Sequence, residues 1–181
     1  MGFKTRVVAA LLVGLLVTAC DKVQESSFSE APVAFHPNDE CHVCGMVINP
    51  FPGPKGQVVA RDGVKKFCST AEMLGWWLQP ENRHDDAKLY VHDMGRSQWD
   101  APDDKHLIDA RTAYYVIGTG LKGAMGVVLA SFADEAKAQK VAADTGGRLL
   151  RFEQIDLALL QQPMPMIDRK STRLNSSHMP H

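Results

Sequence analysis

No run of basic residues occurs in either half of this chain: 20 Lys and Arg stand against 21 Asp and Glu, a net charge of -1. The electrostatic footprint of nucleic-acid binding is therefore missing. No helix-length apolar run is evident near the N-terminus either. Residues 7–17 form an apolar stretch of eleven, well short of the ~20 that a permanent membrane span needs. Paired carboxylates suited to catalysis are also lacking. Asp93, Asp100, Asp103, Asp104 and Asp109 surround an expected loop, but no nucleophile–base spacing joins them, so an enzyme is not expected. Cysteine is scarce, at four residues, and Gly45 rather than histidine follows Cys44. That excludes a c-type haem attachment.

What is present is an ordinary globular composition, 45% hydrophobic and 23% charged. Lys4 and Arg6, the apolar stretch, then Thr18, Ala19 and Cys20 have the order of a secretory signal. Leu16-Val17-Thr18-Ala19-Cys20 resembles a bacterial lipobox, so residues 1–19 are expected to be cleaved and Cys20 lipidated. The expected protein is exported and lipid-anchored, to the inner or the outer membrane. Residues 20–35 read as lipidated cysteine and polar tether. Residues 161–181 read as a disordered tail; from Arg169 onward it looks like translated adapter sequence.

Two similar strings of elements lie between. In the first, 36–104, short apolar runs at 46–48 and 57–61 flank a Pro/Gly turn, and Asp62-Gly63 signals a hairpin into 64–67. Ser69 or Thr70 caps a helix that Pro80 ends, and 88–92 returns as a strand. In the second, 105–160, strands are expected at 113–117 and 126–130. A helix follows from Asp134 until Gly146-Gly147, with a last strand at 148–152. The fold class is thus α+β: two ββαβ units of roughly 50 residues, each too small to be comfortable alone, packed together with small antiparallel or mixed sheets. Trp76 and Trp77 are expected to fill the core between them.

Chemistry concentrates in Cys41-His42-Val43-Cys44-Gly45-Met46. A structural zinc site would need further ligands, from Cys68 or from His36, His84, His92 and His106. A thiol–disulfide pair of Cys41 and Cys44 would ordinarily open a helix, whereas Gly45 and Met46-Val47-Ile48 suggest a strand. In an oxidising compartment the two cysteines can also form a plain disulfide. A soft-metal site is the fourth reading. Copper(I) prefers thiolate and thioether ligands, and Cys44 and Met46, at i and i+2, share one side of an extended chain. Cys68, beside Phe67 at the helix start, reads as a buried structural thiol.

The exported C-x-x-C-G-M motif, followed by Tyr90-Val91-His92-Asp93, Trp99-Asp100-Ala101 and Met125-Gly126, resembles the NosL family. The resemblance spans about residues 36–158. It implies a periplasm-facing copper(I) chaperone for maturation of nitrous oxide reductase in denitrifying bacteria. Cys44 and Met46 would then be ligands, with Met125 as the third and His92, Cys41 and His42 as further candidates. Implied partners are the apo reductase, a membrane copper exporter or other assembly factors, and the lipid membrane. A periplasmic oxidoreductase using Cys41 and Cys44, or a zinc-stabilised scaffold, is the alternative.

Overall fold

The computed structural model describes residues 28–83 and 85–161. The expected signal peptide, Cys20, His84 and the tail beyond residue 161 lie outside the described residues.

Strands β1 (Gly56–Ala60), β2 (Gly63–Phe67), β3 (Lys88–His92) and β4 (Leu107–Asp109) form an antiparallel sheet in the order β2-β1-β3-β4. Strands β5 (Tyr114–Ile117), β6 (Leu129–Phe132) and β7 (Arg148–Arg151) form a second, in the order β6-β5-β7. Each sheet thus puts its first strand in the centre, with the next two on either side. Helix α1 (Thr70–Trp77) separates β2 from β3, and α2 (Glu135–Thr145) separates β6 from β7. The ββαβ order expected twice is present twice, in an α+β fold.

Local chemistry accounts for the elements. In β1 all five residues are buried, as a central strand covered on both faces requires. Its one polar side chain, Gln57, takes the Val33 N–H at 2.8 Å and donates to the Val33 carbonyl at 2.7 Å. Those bonds satisfy a buried amide, and they hold the last residues of the expected tether against the sheet. Ser69 caps α1 by accepting from the Glu72 N–H at 3.1 Å. Gln79, extended before Pro80, ends the helical path. Asp134 caps α2, and Gly146 closes it at φ 72, a left-handed position that glycine takes without strain.

One hydrophobic core spans both sheets. It includes Val58, Phe67, Met73, Leu74, Leu89 and Val91 from the first unit, with Tyr115, Leu129, Leu150 and Leu159 from the second. Helix α1 lies between the units, packing on β1 and β2 and also on β6 and the short α3 (Leu157–Gln161). Trp77 belongs to this core as expected, but Trp76 is only half-buried and faces outward against Phe67 and His42.

Three further expectations need correction. Residues 46–48 are not a strand; only a bridge from Val47 to Glu40 forms, because the preceding residues close into a tight loop. The strand expected at 126–130 begins three residues later, since Gly118, Gly120 and Gly126 all take positive φ and keep the approach irregular. The edge strand β4 was not expected. Three residues are too few to show a period of two, and β4 exists through its pairing with β3.

Candidate metal centre

The loop Cys41 to Met46 is tied at its base by the Cys41 N–H donating to the Met46 carbonyl at 2.9 Å. The Gly45 N–H donates to the Cys41 carbonyl at 2.9 Å, a turn for which Gly45 takes φ 70. The His42 N–H donates to the Lys66 carbonyl at 2.8 Å, which fixes the loop beside the end of β2. Two residues on, β2 gives way to Cys68. Ser69, extended, then caps α1, whose first turn carries Glu72.

These elements bring four ionisable groups together. The donor atoms of Cys41, Cys44, Cys68 and Glu72 all lie within 4.8 Å of one another. Glu72 Oε2 stands 2.6 Å from Cys68 Sγ, 3.2 Å from Cys41 Sγ and 3.9 Å from Cys44 Sγ. Cys44 Sγ and Cys68 Sγ are 3.9 Å apart, beyond disulfide length, and all three thiols are free. Cys41 and Cys68 are buried, whereas Cys44 is half-exposed and forms the outer edge.

The protons are shared unequally. Hydrogen bonding from Cys68, with the backbone N–H groups of Cys44, Cys68 and Val43, lowers the Cys41 thiol to about 4 against the opposing effect of burial. Cys68 is pushed far up by its neighbour Cys41, by burial and by Glu72. Burial likewise raises Cys44 and Glu72. Four acids at this spacing cannot all ionise side by side. A bound cation would remove the conflict by displacing the remaining protons.

The expected site residues divide. Cys41 and Cys44 join the cluster. Met46 ends the loop, its side chain half-buried and its N–H directed at the Cys44 sulfur. Met125, 51% exposed, lies on the rim of a groove that Glu72 and Val43 also line. His42 stays beside the loop, its ring edge-on to Trp76 at 5.3 Å and to Phe67 at 5.8 Å. His92 is elsewhere. Buried at the end of β3, it accepts the Lys55 N–H on Nδ1 at 3.1 Å, while Nε2 lies 2.9 Å from Asp104. With both ring nitrogens engaged it has none to offer a metal in this arrangement, and burial holds its pKa below the usual value. Sequence reasoning read Cys68 as a buried structural thiol, offering it to a metal only under the zinc alternative, and did not single out Glu72. No local spacing signals their meeting, because Ser69 between them is extended and the helix begins only at Thr70.

The sequence model of the NosL family matches residues 32–160. The chain belongs to the NosL family. It is 66% identical over 157 residues to the copper-binding lipoprotein NosL of Stutzerimonas stutzeri, covering 87% of this chain and 83% of that protein. It is 32% identical over 156 residues to the copper-binding lipoprotein NosL of Achromobacter cycloclastes, covering 82% and 79%. Among solved structures, the copper chaperone NosL from Shewanella denitrificans matches with a TM-score of 0.68 and 41% identity. That alignment covers 72% of this chain and 98% of the other. The family resemblance read from the C-x-x-C-G-M motif and the α+β architecture both stand.

Proposed function

We propose that this protein is a lipid-anchored, periplasm-facing copper(I) chaperone that supplies nitrous oxide reductase, and that it acts as a carrier rather than an enzyme. The observation that carries the reading is the cluster of three thiols and one carboxylate within 4.8 Å, which cannot lose its protons together without a cation. The names of the relatives support copper as that cation. Copper(I), a soft ion, selects thiolate and thioether donors. Cys44 at the exposed edge and Met46 two residues later are the ligands proposed, with Met125 across the neighbouring groove as the third. A partly exposed thiolate and neutral thioethers suit a carrier, because an incoming ligand can replace them one at a time.

The oxidoreductase alternative fits the geometry less well. A catalytic dithiol needs an accessible, readily ionised attacking sulfur. Here the readily ionised thiol, Cys41, is buried, and the more accessible Cys44 is pushed up by burial. The zinc alternative keeps one specific support. Glu72 adds a hard oxygen to three sulfurs, a closed four-donor set of the kind tetrahedral zinc accepts.

The deciding experiment is anaerobic titration of the reduced full chain with copper(I) against a competing chelator, with zinc titrated in parallel. The expected result is tight 1:1 copper binding that collapses in Cys44→Ser. Copper binding unaffected by both Cys44→Ser and Met46→Ala would overturn the reading. Tight zinc binding alone would establish the scaffold alternative. Transfer is tested by mixing the copper-loaded chain with apo nitrous oxide reductase. Copper-centre absorption should then grow faster than from an equal amount of copper(I) chelate. For the anchor, Cys20→Ser should move the protein from the membrane fraction to the soluble one.

A further inference from the structure

The copper(I) reading takes one of the three clustered thiols as a ligand and leaves Cys41, Cys68 and Glu72 without a defined part. Cys41 and Cys68 are 3% and 0% exposed. Their sulfurs lie within 4.8 Å of each other, and both are free. Both thiols bear on one oxygen, Glu72 Oε2, at 3.2 Å from Cys41 and 2.6 Å from Cys68. The Cys68 N–H is also directed at the Cys41 sulfur, so the pair is held side by side. Closing the two sulfurs to a bond of about 2 Å therefore needs only a small movement. Burial shields the pair from protein-sized thiol reagents and from a second chain. Cys44, at the open edge and 3.9 Å from Cys68, is the sulfur that meets an ion arriving from solvent. Copper(II) is held by such mixed donor sets more tightly than the other first-row divalent ions, and the Glu72 carboxylate offers it a hard oxygen that copper(I) does not seek. Two adjacent thiols hold two electrons to give, one for each of two copper(II) ions.

We propose that the cluster loads the carrier reductively: Cys41 and Cys68 convert copper(II) to the copper(I) that Cys44 retains. In the balanced step, the S–H bonds of Cys41 and Cys68 break and one S–S bond forms between them. Each sulfur gives up one electron, and two copper(II) ions become two copper(I) ions. One proton passes to the Glu72 carboxylate and the other leaves to solvent past Cys44. One copper(I) stays at the site and the second is released. A small dithiol is the class of reductant that resets the pair. The proposal rests on the copper(I) reading above and adds a stoichiometric loading step to it.

The test uses the full chain with Cys20→Ser, so that the three cluster thiols are the only cysteines left. Reduced, freed of excess reductant and kept anaerobic, it is mixed with copper(II) sulfate. Loss of the copper(II) electron paramagnetic resonance signal is followed alongside capture of copper(I) by a chelator. Two copper(II) ions should disappear per chain, in a process first order in the chain. Peptide mapping should then find a Cys41–Cys68 disulfide within one chain, and this oxidised product should still bind one copper(I). Cys41→Ser and Cys68→Ser should each slow the signal loss at least about tenfold, because the neighbouring thiol at high effective concentration is gone. An unchanged signal in the wild-type chain would overturn the inference. So would a disulfide that includes Cys44, a disulfide between chains, or serine variants that reduce copper(II) at the wild-type rate. None of those results touches the copper(I) reading, which direct titration with copper(I) decides separately. If that titration shows no binding, the copper reading fails and reductive loading with it. Should a serine variant fail to fold, the stoichiometry and the disulfide map of the wild-type cluster decide alone.

Discussion

At the residue scale, the cluster depends on groups that hold one another's protons. Glu72→Gln keeps the shape but removes the carboxylate that Cys68 donates to at 2.6 Å. If the carboxylate serves the metal, zinc affinity should fall by more than about tenfold while copper(I) affinity changes less, as ligand softness requires. Parallel titrations with both ions check this. His92 makes a pH prediction. Burial lowers its folded pKa below 6.5, so it is neutral in the native protein and the unfolded chain takes up its proton first. Its contribution is present in full above about 6.5 and is lost as pH falls toward the folded value. Urea midpoints at pH 7.5 and 5 should therefore drop on acidification, and His92→Gln should flatten that slope.

At the scale of elements, α1 does two jobs: it fills the space between the sheets and positions Glu72. Ser69→Ala removes the cap that accepts the Glu72 N–H and should destabilise by about 1 kcal/mol, with metal affinity falling alongside. Urea melts and titrations of the same variant measure both. Gly56 is a packing position. A Cβ there would meet Met73 Sδ at 2.7 Å and Met73 Cβ at 2.9 Å, so β1 and α1 approach as closely as they do only without it. Gly56→Ala should destabilise by ~1–3 kcal/mol through overpacking, with thermal unfolding as the check. These elements were largely legible in the sequence. Ser69, Pro80, Asp134 and Gly146 act on the backbone beside them, so their meaning survives without tertiary context. The loop at 41–46 misled because Met46-Val47-Ile48 reads as a strand, while the hydrogen bonds that curl the chain come from the atoms around Gly45.

At the scale of the whole molecule, one core runs through both ββαβ units. Tyr115, Leu129 and Leu150 of the second unit pack in the same cluster as Phe67, Leu74 and Leu89 of the first. The sheets are also tied directly: Ser131 Oγ donates to the His92 carbonyl at 2.7 Å, and the Met94 N–H to the Ser131 carbonyl at 2.8 Å. A single cooperative transition is therefore expected. Tryptophan fluorescence, which reports on Trp76 and Trp77 in α1 and on Trp99 packed against the cluster of Val116, Ala130 and Phe132, should melt together with far-ultraviolet circular dichroism. A fragment ending at Ala110, which keeps β4 and so the whole first sheet, should not fold, and distinct midpoints for the two probes would contradict the shared core.

The sequence by itself determined the order of elements, their caps and turns, and the concentration of soft ligands at Cys41, Cys44 and Met46. Those are properties of short segments, set by backbone geometry and side-chain chemistry within a few residues. It could not decide that Cys68 and Glu72 complete the cluster, that His92 is occupied by Lys55 and Asp104, or that Met125 shares a groove with Glu72. Each of those depends on where β2, α1 and the second unit come to rest. That placement comes from burying one core between two small sheets, and the core is indifferent to the metal chemistry at its edge.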